Sequence, residues 1–403
     1  MYGEVISQGT VTSPRGFVAG ATYVGLKTRG ENLLDLGILY SQVPCGAAGI
    51  FTTNRVKAAP VTVSQLHLAN GQPRAIVVNS GCANACTGQE GYDNAMEMAH
   101  LTAHKLGLRP VDVLVASTGV IGVQLPMDKI RQRLPLIAES TNGGHELARA
   151  IVTTDTYIKE IAVSFQVDGC TVTIGGIAKG AGMIHPDLAT LLSFLTTDAA
   201  VEPQFLMTAL REAADASFNM ATIDGDTSTN DSLILFANGL AGNNPIQAAT
   251  PAAAVFVGAL TEVCVHLAKL VARDGEGATK LIEVLVTGAE SLQDARIGAR
   301  TIASSMLVKS AVHGNDPNWG RILAALGRSG AAMREGLTDV FIGETALMRG
   351  GTPQVFDHQA AVALLSRETV QLKVDLHLGP YEATAWGCDL SEEYVTFNSD
   401  YTT

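Results

Sequence analysis

The 403-residue chain has few charged residues, few aromatic residues and no excess of positive charge. Asp, Glu, Lys and Arg make up 16% of it, against about 25% in an average soluble protein. The 27 Lys and Arg residues are outnumbered by 39 Asp and Glu residues, so the net charge is −12. Nucleic acids and anionic membranes bind basic surfaces, so this composition argues against either partner.

The sequence also lacks a disulfide pattern and a membrane-spanning run. Six cysteines are spread along the chain without the close spacing of a small disulfide-rich domain, which predicts reduced thiols. No uncharged apolar run reaches the ~20 residues of a membrane helix, and Met1-Tyr-Gly-Glu-Val5 does not resemble a secretory signal. Together these features predict a cytoplasmic protein.

Short motifs for metals and nucleotides are incomplete. Cys82 and Cys86 have no second Cys or His pair at metal spacing, so two small buried thiols are expected there. The glycine-rich segment that starts at Gly175 has Ala181 and Gly182 at the positions where a phosphate-binding loop requires Lys and then Ser or Thr. Segment 224–231 begins like a calcium loop but has Thr229 where glycine is required. The expectation is therefore no metal site and no nucleotide site.

Strand-like and helix-like segments alternate along the chain, which predicts a mixed α/β fold. In residues 160–174, apolar residues alternate around Asp168-Gly169, which predicts an antiparallel hairpin with its turn at that dipeptide. The glycines that follow, in 175–182, predict a close approach of the backbone to a neighbouring segment. The other predicted elements are strands at 75–79, 113–116, 370–378 and 394–397, and helices at 92–106, 203–216, 252–272, 291–312 and 358–366.

Thr190 lies in the mostly apolar stretch 178–198 and would ordinarily be interpreted as a half-buried structural threonine. The stretch is similar, however, to the self-cleavage segment of the ornithine acetyltransferases, an arginine-biosynthesis family that includes bifunctional glutamate acetyltransferases. Cys82 stands where that family more usually has Asn. The resemblance covers essentially the whole chain through eight ordered motifs: Phe51-Thr-Thr-Asn-Arg-Val-Lys-Ala-Ala-Pro60, Asn79-Ser-Gly-Cys-Ala-Asn-Ala-Cys-Thr-Gly88, Ser117-Thr-Gly-Val-Ile-Gly122, Thr153-Thr-Asp-Thr156, residues 224–231, Asp274-Gly-Glu-Gly-Ala-Thr-Lys280, Asn315-Asp-Pro-Asn-Trp-Gly-Arg321 and Asn398-Ser-Asp-Tyr-Thr-Thr403.

The resemblance implies that the precursor cleaves itself between Ala189 and Thr190, giving an α chain of residues 1–189 and a β chain of residues 190–403. A threonine hydroxyl needs a base to act as a nucleophile. Cleavage would supply one, because the new α-amine of Thr190 has an ordinary pKa of about 7.7–8.0. The family's oxyanion donors match Thr118 and Gly119, so these two and Thr190 are the expected catalytic residues.

The resemblance also implies the substrates and the positions that contact them. Acetyl would pass from N²-acetyl-L-ornithine through Thr190 to L-glutamate, with no cofactor. Lys179 would face a carboxylate and Glu276 the ornithine ammonium, and the remaining contacts would be hydrogen bonds. The substrate-binding positions implied are Thr153, Lys179, Thr190, Glu276, Asn398 and Thr403.

The family's fold is a four-layer α/β/β/α sandwich with a smaller C-terminal α/β domain, and its mature assembly is usually α₂β₂. Both are therefore expected here. Three alternatives stay open from the sequence. The protein could be a self-processing amidohydrolase or aminopeptidase that gives its acyl group to water, or a non-catalytic protein that keeps the fold. Acetyl-CoA could also serve as a second acetyl donor.

Overall fold

A computed structural model describes residues 2–27, 33–185 and 191–400. Within them it has a mixed α/β architecture on three sheets, as predicted. The strands are β1 (Glu4–Val5), β2 (Phe17–Thr22), β3 (Leu36–Ser41), β4 (Gly46–Phe51), β5 (Ala75–Cys82), β6 (Val113–Val120), β7 (Lys159–Val167), β8 (Cys170–Lys179), β9 (Leu192–Thr197), β10 (Ser232–Ala237), β11 (Leu281–Ala289), β12 (Asp339–Ile342), β13 (Thr345–Arg349), β14 (Thr352–Pro353), β15 (Thr369–Asp375) and β16 (Tyr381–Cys388). The helices are α1 (Ala59–Asn70), α2 (Gly88–Leu106), α3 (Met127–Arg133), α4 (Gly144–Ile151), α5 (Pro203–Asp215), α6 (Pro251–Arg273), α7 (Leu292–Ala303), α8 (Met306–His313), α9 (Trp319–Gly327), α10 (His358–Leu365) and α11 (Glu392–Asp400).

The first sheet has four strands in the order β2-β3-β5-β6. β5 and β6 are the strands predicted around 75–79 and 113–116, and they pair in parallel. Parallel neighbours need a crossover, and the predicted helix between them, α2, lies within that connection. Gly107, with φ +66°, caps the C-terminus of α2, so the helix ends where the sequence indicates.

The second sheet has six strands in the order β1-β7-β8-β9-β10-β4. β7 and β8 form the predicted antiparallel hairpin, with Val167 opposite Cys170. Asp168 and Gly169 both have positive φ, 50° and 79°, the conformation that tight two-residue hairpin turns require. β9 continues the sheet by pairing antiparallel with β8, and Lys179 lies opposite Leu192.

Alternate residues of the strands enter different cores. In β5, Ile76 and Val78 join Phe194 and Phe236 of the six-stranded sheet in a core between the two sheets. Ala75 and Val77 face the opposite way and pack with α2 and α3. The far side of the six-stranded sheet packs on α5 and α6. Because both faces of these strands are covered, they are continuous apolar runs, as is typical of buried strands.

Helix α6 is, by length and composition alone, apolar enough to cross a membrane, and it is the one such helix in the described part of the chain. Ten of its 23 residues are buried, among them Phe256, Leu260 and Leu267. These residues lie in the same core as α5 and the six-stranded sheet. Such packing is that of a core helix, since the apolar side chains of α6 are used against other parts of the protein.

The third sheet, in the order β14-β13-β12-β15-β11-β16, lies in the C-terminal part of the chain. It has its own core with α7, α8 and α9. The helix predicted at 291–312 is two helices, because the chain breaks at Ser304 and Ser305. The Ser305 hydroxyl accepts a hydrogen bond from the Val308 amide and so starts α8 as an N-cap.

Two sequence predictions are wrong. Residues 394–397 belong to α11 rather than to a strand; four residues of apolar alternation fit either structure, and Glu392 and Glu393 favour a helix start. Cys86 is exposed in a loop with φ +57°, so only Cys82 of that pair is buried. All six cysteines are free, as predicted.

Candidate active site

Six of the residues singled out by the sequence line one cavity of about 150 Å³. They come from separate elements: the end of β6, the end of β8, the loops after α4 and α6, and helix α11. The six are Thr118, Gly119, Thr153, Lys179, Glu276 and Asn398. Ala189, Thr190 and Thr403 lie outside the described residues.

Thr118 and Gly119 lie near the end of β6, where they pair with Ser80 and Gly81 of β5. Gly119 is opposite Gly81 and has φ +128°, a region that favours glycine. A Cβ atom on Gly119 would lie 2.3 Å from the carbonyl carbon of Gly81, which is backbone and cannot turn aside. The strand end that carries both residues therefore depends on glycine at this position.

Lys179 is the last residue of β8 and is only 5% exposed. Its Nζ donates hydrogen bonds to Thr153 Oγ1 at 2.7 Å and to Thr118 Oγ1 at 3.3 Å. Burial lowers the pKa of Lys179, and the carboxylates of Asp155 and Glu276 only partly offset this effect. A buried cation with two hydroxyl neighbours inside a cavity is suited to binding an anionic group.

Glu276 lines the same cavity from the loop after α6. Its backbone amide donates to Ala181 O at 2.8 Å, and its Oε2 accepts from Asn398 Nδ2 at 2.9 Å. A Cβ atom on Gly182 would lie 2.7 Å from the Glu276 carboxyl group, so the absent side chain makes room for it. This contact is the close approach that the glycines of 175–182 predict.

The polar segment 224–231, whose role the sequence left open, forms one wall of the cavity. Asp224 accepts hydrogen bonds from the backbone amides of Met183 and Ile184, at 2.5 and 2.9 Å, and burial raises its pKa. Asn230 Nδ2 donates to the carbonyls of Ala83 and Ser117. The segment thus joins the chain at Met183 and Ile184 to β6 at Ser117.

Sequence reasoning missed several residues around this cavity. Asp155 lies in the motif that starts at Thr153, but only the folded chain shows that its carboxylate is 3.9 Å from the ammonium of Lys179. Tyr394 lines the cavity from α11, and its pKa is raised by burial and by the nearby carboxylates of Asp224 and Glu276. Within the described residues, no group of three or more His, Cys, Asp or Glu side chains could hold a metal ion.

An ammonium and a carboxylate thus lie in the walls of one small, partly enclosed cavity. This arrangement can bind a small molecule that itself carries both charges, such as an amino acid. His185 follows Ile184 in the chain, and its Nδ1 lies 3.2 Å from Thr222 Oγ1.

Comparisons with known proteins agree with the sequence resemblance. The ArgJ family model matches residues 18–403. The chain is 55% identical over 400 residues to the arginine biosynthesis bifunctional protein ArgJ of Dehalococcoides mccartyi (strain CBDB1), covering 99% of each. It is 53% identical over 397 residues to the protein of the same name from Symbiobacterium thermophilum, covering 98% of this chain and 99% of the relative.

A crystal structure of arginine biosynthesis bifunctional protein argJ from Bacillus halodurans is also similar. The sequences are 45% identical, the TM-score is 0.52, and the match covers 53% of this chain and all of that one. These matches define the class of the protein: it is an acyltransferase of arginine biosynthesis. The chain belongs to the ArgJ family.

The Gly119 contact generates a prediction about stability. Gly119→Ala places a methyl group against the backbone of Gly81, so we expect a large fall in the midpoint of thermal unfolding and loss of activity. Gly122→Ala is the matched control, because Gly122 has φ +81° but a Cβ atom added there would meet nothing within 4 Å. Equal midpoints for the two variants would contradict the proposed role of the close approach.

Proposed function

We propose that this chain cleaves itself between Ala189 and Thr190 and then transfers acetyl from N²-acetyl-L-ornithine to L-glutamate through Thr190. The observation that carries the proposal is that a buried ammonium, Lys179, and a carboxylate, Glu276, line one cavity. Both proposed amino-acid substrates bear an α-carboxylate, which Lys179 would bind. Only acetylornithine adds a side-chain ammonium, which Glu276 would bind.

The chain on both sides of Thr190 supports its assignment as the nucleophile. Leu191, one peptide bond away, accepts a hydrogen bond through its carbonyl from Ser232 at 3.1 Å. Leu192 lies opposite Lys179 in the sheet. On the N-terminal side of Thr190, the carboxylate of Asp224 accepts hydrogen bonds from the backbone amides of Met183 and Ile184. The described residues on either side of 186–190 thus pair with two residues that line the cavity, Asp224 and Lys179.

In the self-cleavage step, the Thr190 hydroxyl attacks the carbonyl carbon of Ala189 and the C–N bond breaks, which leaves an ester. Breaking the C–N bond, with a proton taken up by the nitrogen, frees the α-amine of Thr190. Water then hydrolyses the ester, giving the carboxylate of Ala189 and the free hydroxyl of Thr190. The small side chain of Ala189 adds little bulk at this bond. The product carries a nucleophile and a base on one residue.

In the transfer step, the α-amine takes the hydroxyl proton as Oγ attacks the acetyl carbonyl of acetylornithine. Ornithine leaves with a proton on its α-nitrogen, and acetyl stays on Thr190 as an ester. The α-amine of glutamate then attacks this ester and regenerates Thr190. Because the Thr118 hydroxyl accepts a hydrogen bond from Lys179, its own proton is available for the developing oxyanion at this site.

Contacts from the rest of the cavity complete the proposed recognition. The hydroxyl of Thr153 accepts a hydrogen bond from the Lys179 ammonium, which would also bind the substrate carboxylate. Asn398 donates a hydrogen bond to the carboxylate of Glu276. Thr403 is proposed as a further hydrogen-bonding contact from the end of the chain, on the family resemblance alone. No cofactor takes part in the proposed steps.

The proposed cut separates residues 1–189 from 190–403 but leaves the six-stranded sheet shared between the products. β8 belongs to the first and β9 to the second, and they pair from Ile174 opposite Thr197 to Lys179 opposite Leu192. This ladder supports an assembly in which the α and β chains stay together, and α₂β₂ is the form we propose. Free cysteines support a cytoplasmic location.

We also infer the four-layer α/β/β/α arrangement with a smaller C-terminal domain. The supporting observation is the set of separate cores described above: α2 and α3 on one sheet, the core between the sheets, and α5 and α6 on the other. The third sheet and its helices, with their own core, would be the C-terminal domain.

Replacing the nucleophile tests the whole scheme. Thr190→Ala is expected to remain one uncleaved chain without transfer activity, because the attacking hydroxyl and the new α-amine are both lost. Thr190→Ser, which keeps a hydroxyl, is the control and should still cleave. Gel electrophoresis and an acetylglutamate assay measure the two outcomes, and a cleaved, active Thr190→Ala protein would refute the proposal.

The same assay separates transfer from hydrolysis. Wild-type protein incubated with acetylornithine should form acetylglutamate when glutamate is present, and little free acetate when it is absent. Rapid release of acetate that does not depend on glutamate would favour an amidohydrolase instead. Acetyl-CoA supplied in place of acetylornithine tests whether the protein accepts a second donor.

The lowered pKa of Lys179 predicts a pH dependence. The protonated ammonium binds the substrate carboxylate, so kcat/KM for acetylornithine should fall as pH rises through a pKa that lies below the ordinary value of 10.5. On the acid side, kcat/KM should rise as the Thr190 α-amine loses its proton, near pH ~8. The alkaline fall should be absent in Lys179→Met; its persistence there would contradict the role of Lys179.

A further inference from the structure

A buried group of three charged residues behind the cavity has no part in the proposed chemistry. The Nζ atom of Lys159 lies 2.6 Å from Asp155 Oδ1 and 2.6 Å from Asp274 Oδ2. The side chains of Lys159 and Asp155 are completely buried, and that of Asp274 is 2% exposed. Lys159 Nζ also lies 3.5 Å from the carbonyl oxygen of Tyr157. Each of the three N–H groups of the ammonium therefore has an acceptor.

We propose that Lys159 is a positioning residue for substrate specificity: through Asp155 it fixes Lys179, and through Asp274 it fixes Glu276. This inference rests on the function proposed above, in which Lys179 binds the shared carboxylate and Glu276 binds the ammonium of acetylornithine. One buried ammonium would then set the distance between the two charge-binding ends of the cavity.

The Asp155 side of the group reaches Lys179 by three contacts. Asp155 Oδ1 accepts from the amide of Gly180, the residue after Lys179, at 2.7 Å. Asp155 Oδ2 accepts from the Thr153 amide at 3.0 Å and lies 3.9 Å from Lys179 Nζ. Burial alone would raise the pKa of Asp155, but the two lysine ammoniums outweigh it and hold the pKa well below its usual range.

The Asp274 side reaches Glu276 through the chain. Asp274 directly follows α6 and lies two residues before Glu276. Besides Lys159, its carboxylate accepts hydrogen bonds from the amide and hydroxyl groups of Thr156. The amide of Glu276 is held by Ala181 O. The short loop is therefore fixed at Asp274 and at Glu276, which limits where the Glu276 carboxylate can lie.

The cost of burying these ions argues for a role beyond stability. Removing several charges from water is expensive, and a buried ion pair often stabilises a protein no more than apolar side chains of similar volume would. Apolar side chains could not accept the hydrogen bonds that the two aspartates accept from the amides of Gly180, Thr153 and Thr156. The group also joins Asp155 and Lys159, which precede the proposed cut, to Asp274, which follows it.

The two sides of the group predict different losses, which ping-pong kinetics can separate. Asp274→Asn weakens the contact to Lys159 and frees the Glu276 loop, so kcat/KM for acetylornithine should fall about tenfold, as expected for one charged hydrogen bond. Its kcat/KM for glutamate should change less than about twofold, because glutamate has no side-chain ammonium for Glu276 to bind. Asp155→Asn should lower kcat/KM for both substrates, since both use Lys179.

Asp198→Asn is the matched control. Asp198 is also a buried carboxylate that accepts hydrogen bonds from backbone amides, those of Thr173 and Arg15, but it does not line the cavity. Asp198→Asn should lower the midpoint of thermal unfolding, as Asp274→Asn does. It should leave the ratio of kcat/KM for acetylornithine to kcat/KM for glutamate unchanged. Self-cleavage serves in every variant as the sign that the chain has folded.

An equal effect of Asp274→Asn on both substrates, or no effect beyond that of Asp198→Asn, would overturn the proposal and make the group merely structural. Should Asp274→Asn fail to cleave, Asp274→Glu keeps the charge but lengthens the side chain by one methylene, and it must show the same selective loss. Wild-type protein without acetyl transfer would instead refute the proposed function, so the two failures are distinguishable.

Discussion

The antiparallel pairing of β8 with β9 is the interaction on which the site depends. It ends with Lys179 opposite Leu192, so the cation that closes one strand lies beside the start of the next. Thr190 precedes that start by two residues. The same ladder continues the six-stranded sheet, whose two faces carry separate cores. The proposed nucleophile, Thr190, is therefore close in sequence to the strand that pairs with Lys179. The proposed cut before β9 would remove no strand from the sheet.

Charge is scarce in this chain, yet four charged residues are buried together beside the cavity. Only 16% of the residues are charged, yet Lys159, Lys179, Asp155 and Asp274 are all nearly inaccessible to solvent. Two cations and two anions balance one another there, which reduces the cost of removing each from water. Burial also strengthens their effect on a substrate, since water screens them little.

The spacing of apolar residues predicted much of the fold, because it indicates which face of each helix or strand is buried. The β7–β8 hairpin and helix α2 follow from alternation, turn dipeptides and spacing. Such patterns failed where they were short: residues 394–397 fit a strand or a helix equally well, and the break at Ser305 depends on one N-cap hydrogen bond. The site needed more than periodicity. Lys179 has the sequence context of a solvated charge, and only the eight ordered motifs pointed to it, whereas Lys159 is recognised only from its contacts across the fold.

The proposed transfer requires that acetyl pass through Thr190. The most direct measurement is the mass of the 190–403 chain after incubation with N²-acetyl-L-ornithine alone, followed by peptide mapping. We expect a gain of one acetyl group on Thr190, lost when glutamate is added and recovered as acetylglutamate. An unmodified chain in a preparation that forms acetylglutamate with both substrates present, or acetyl found on another residue, would contradict the account.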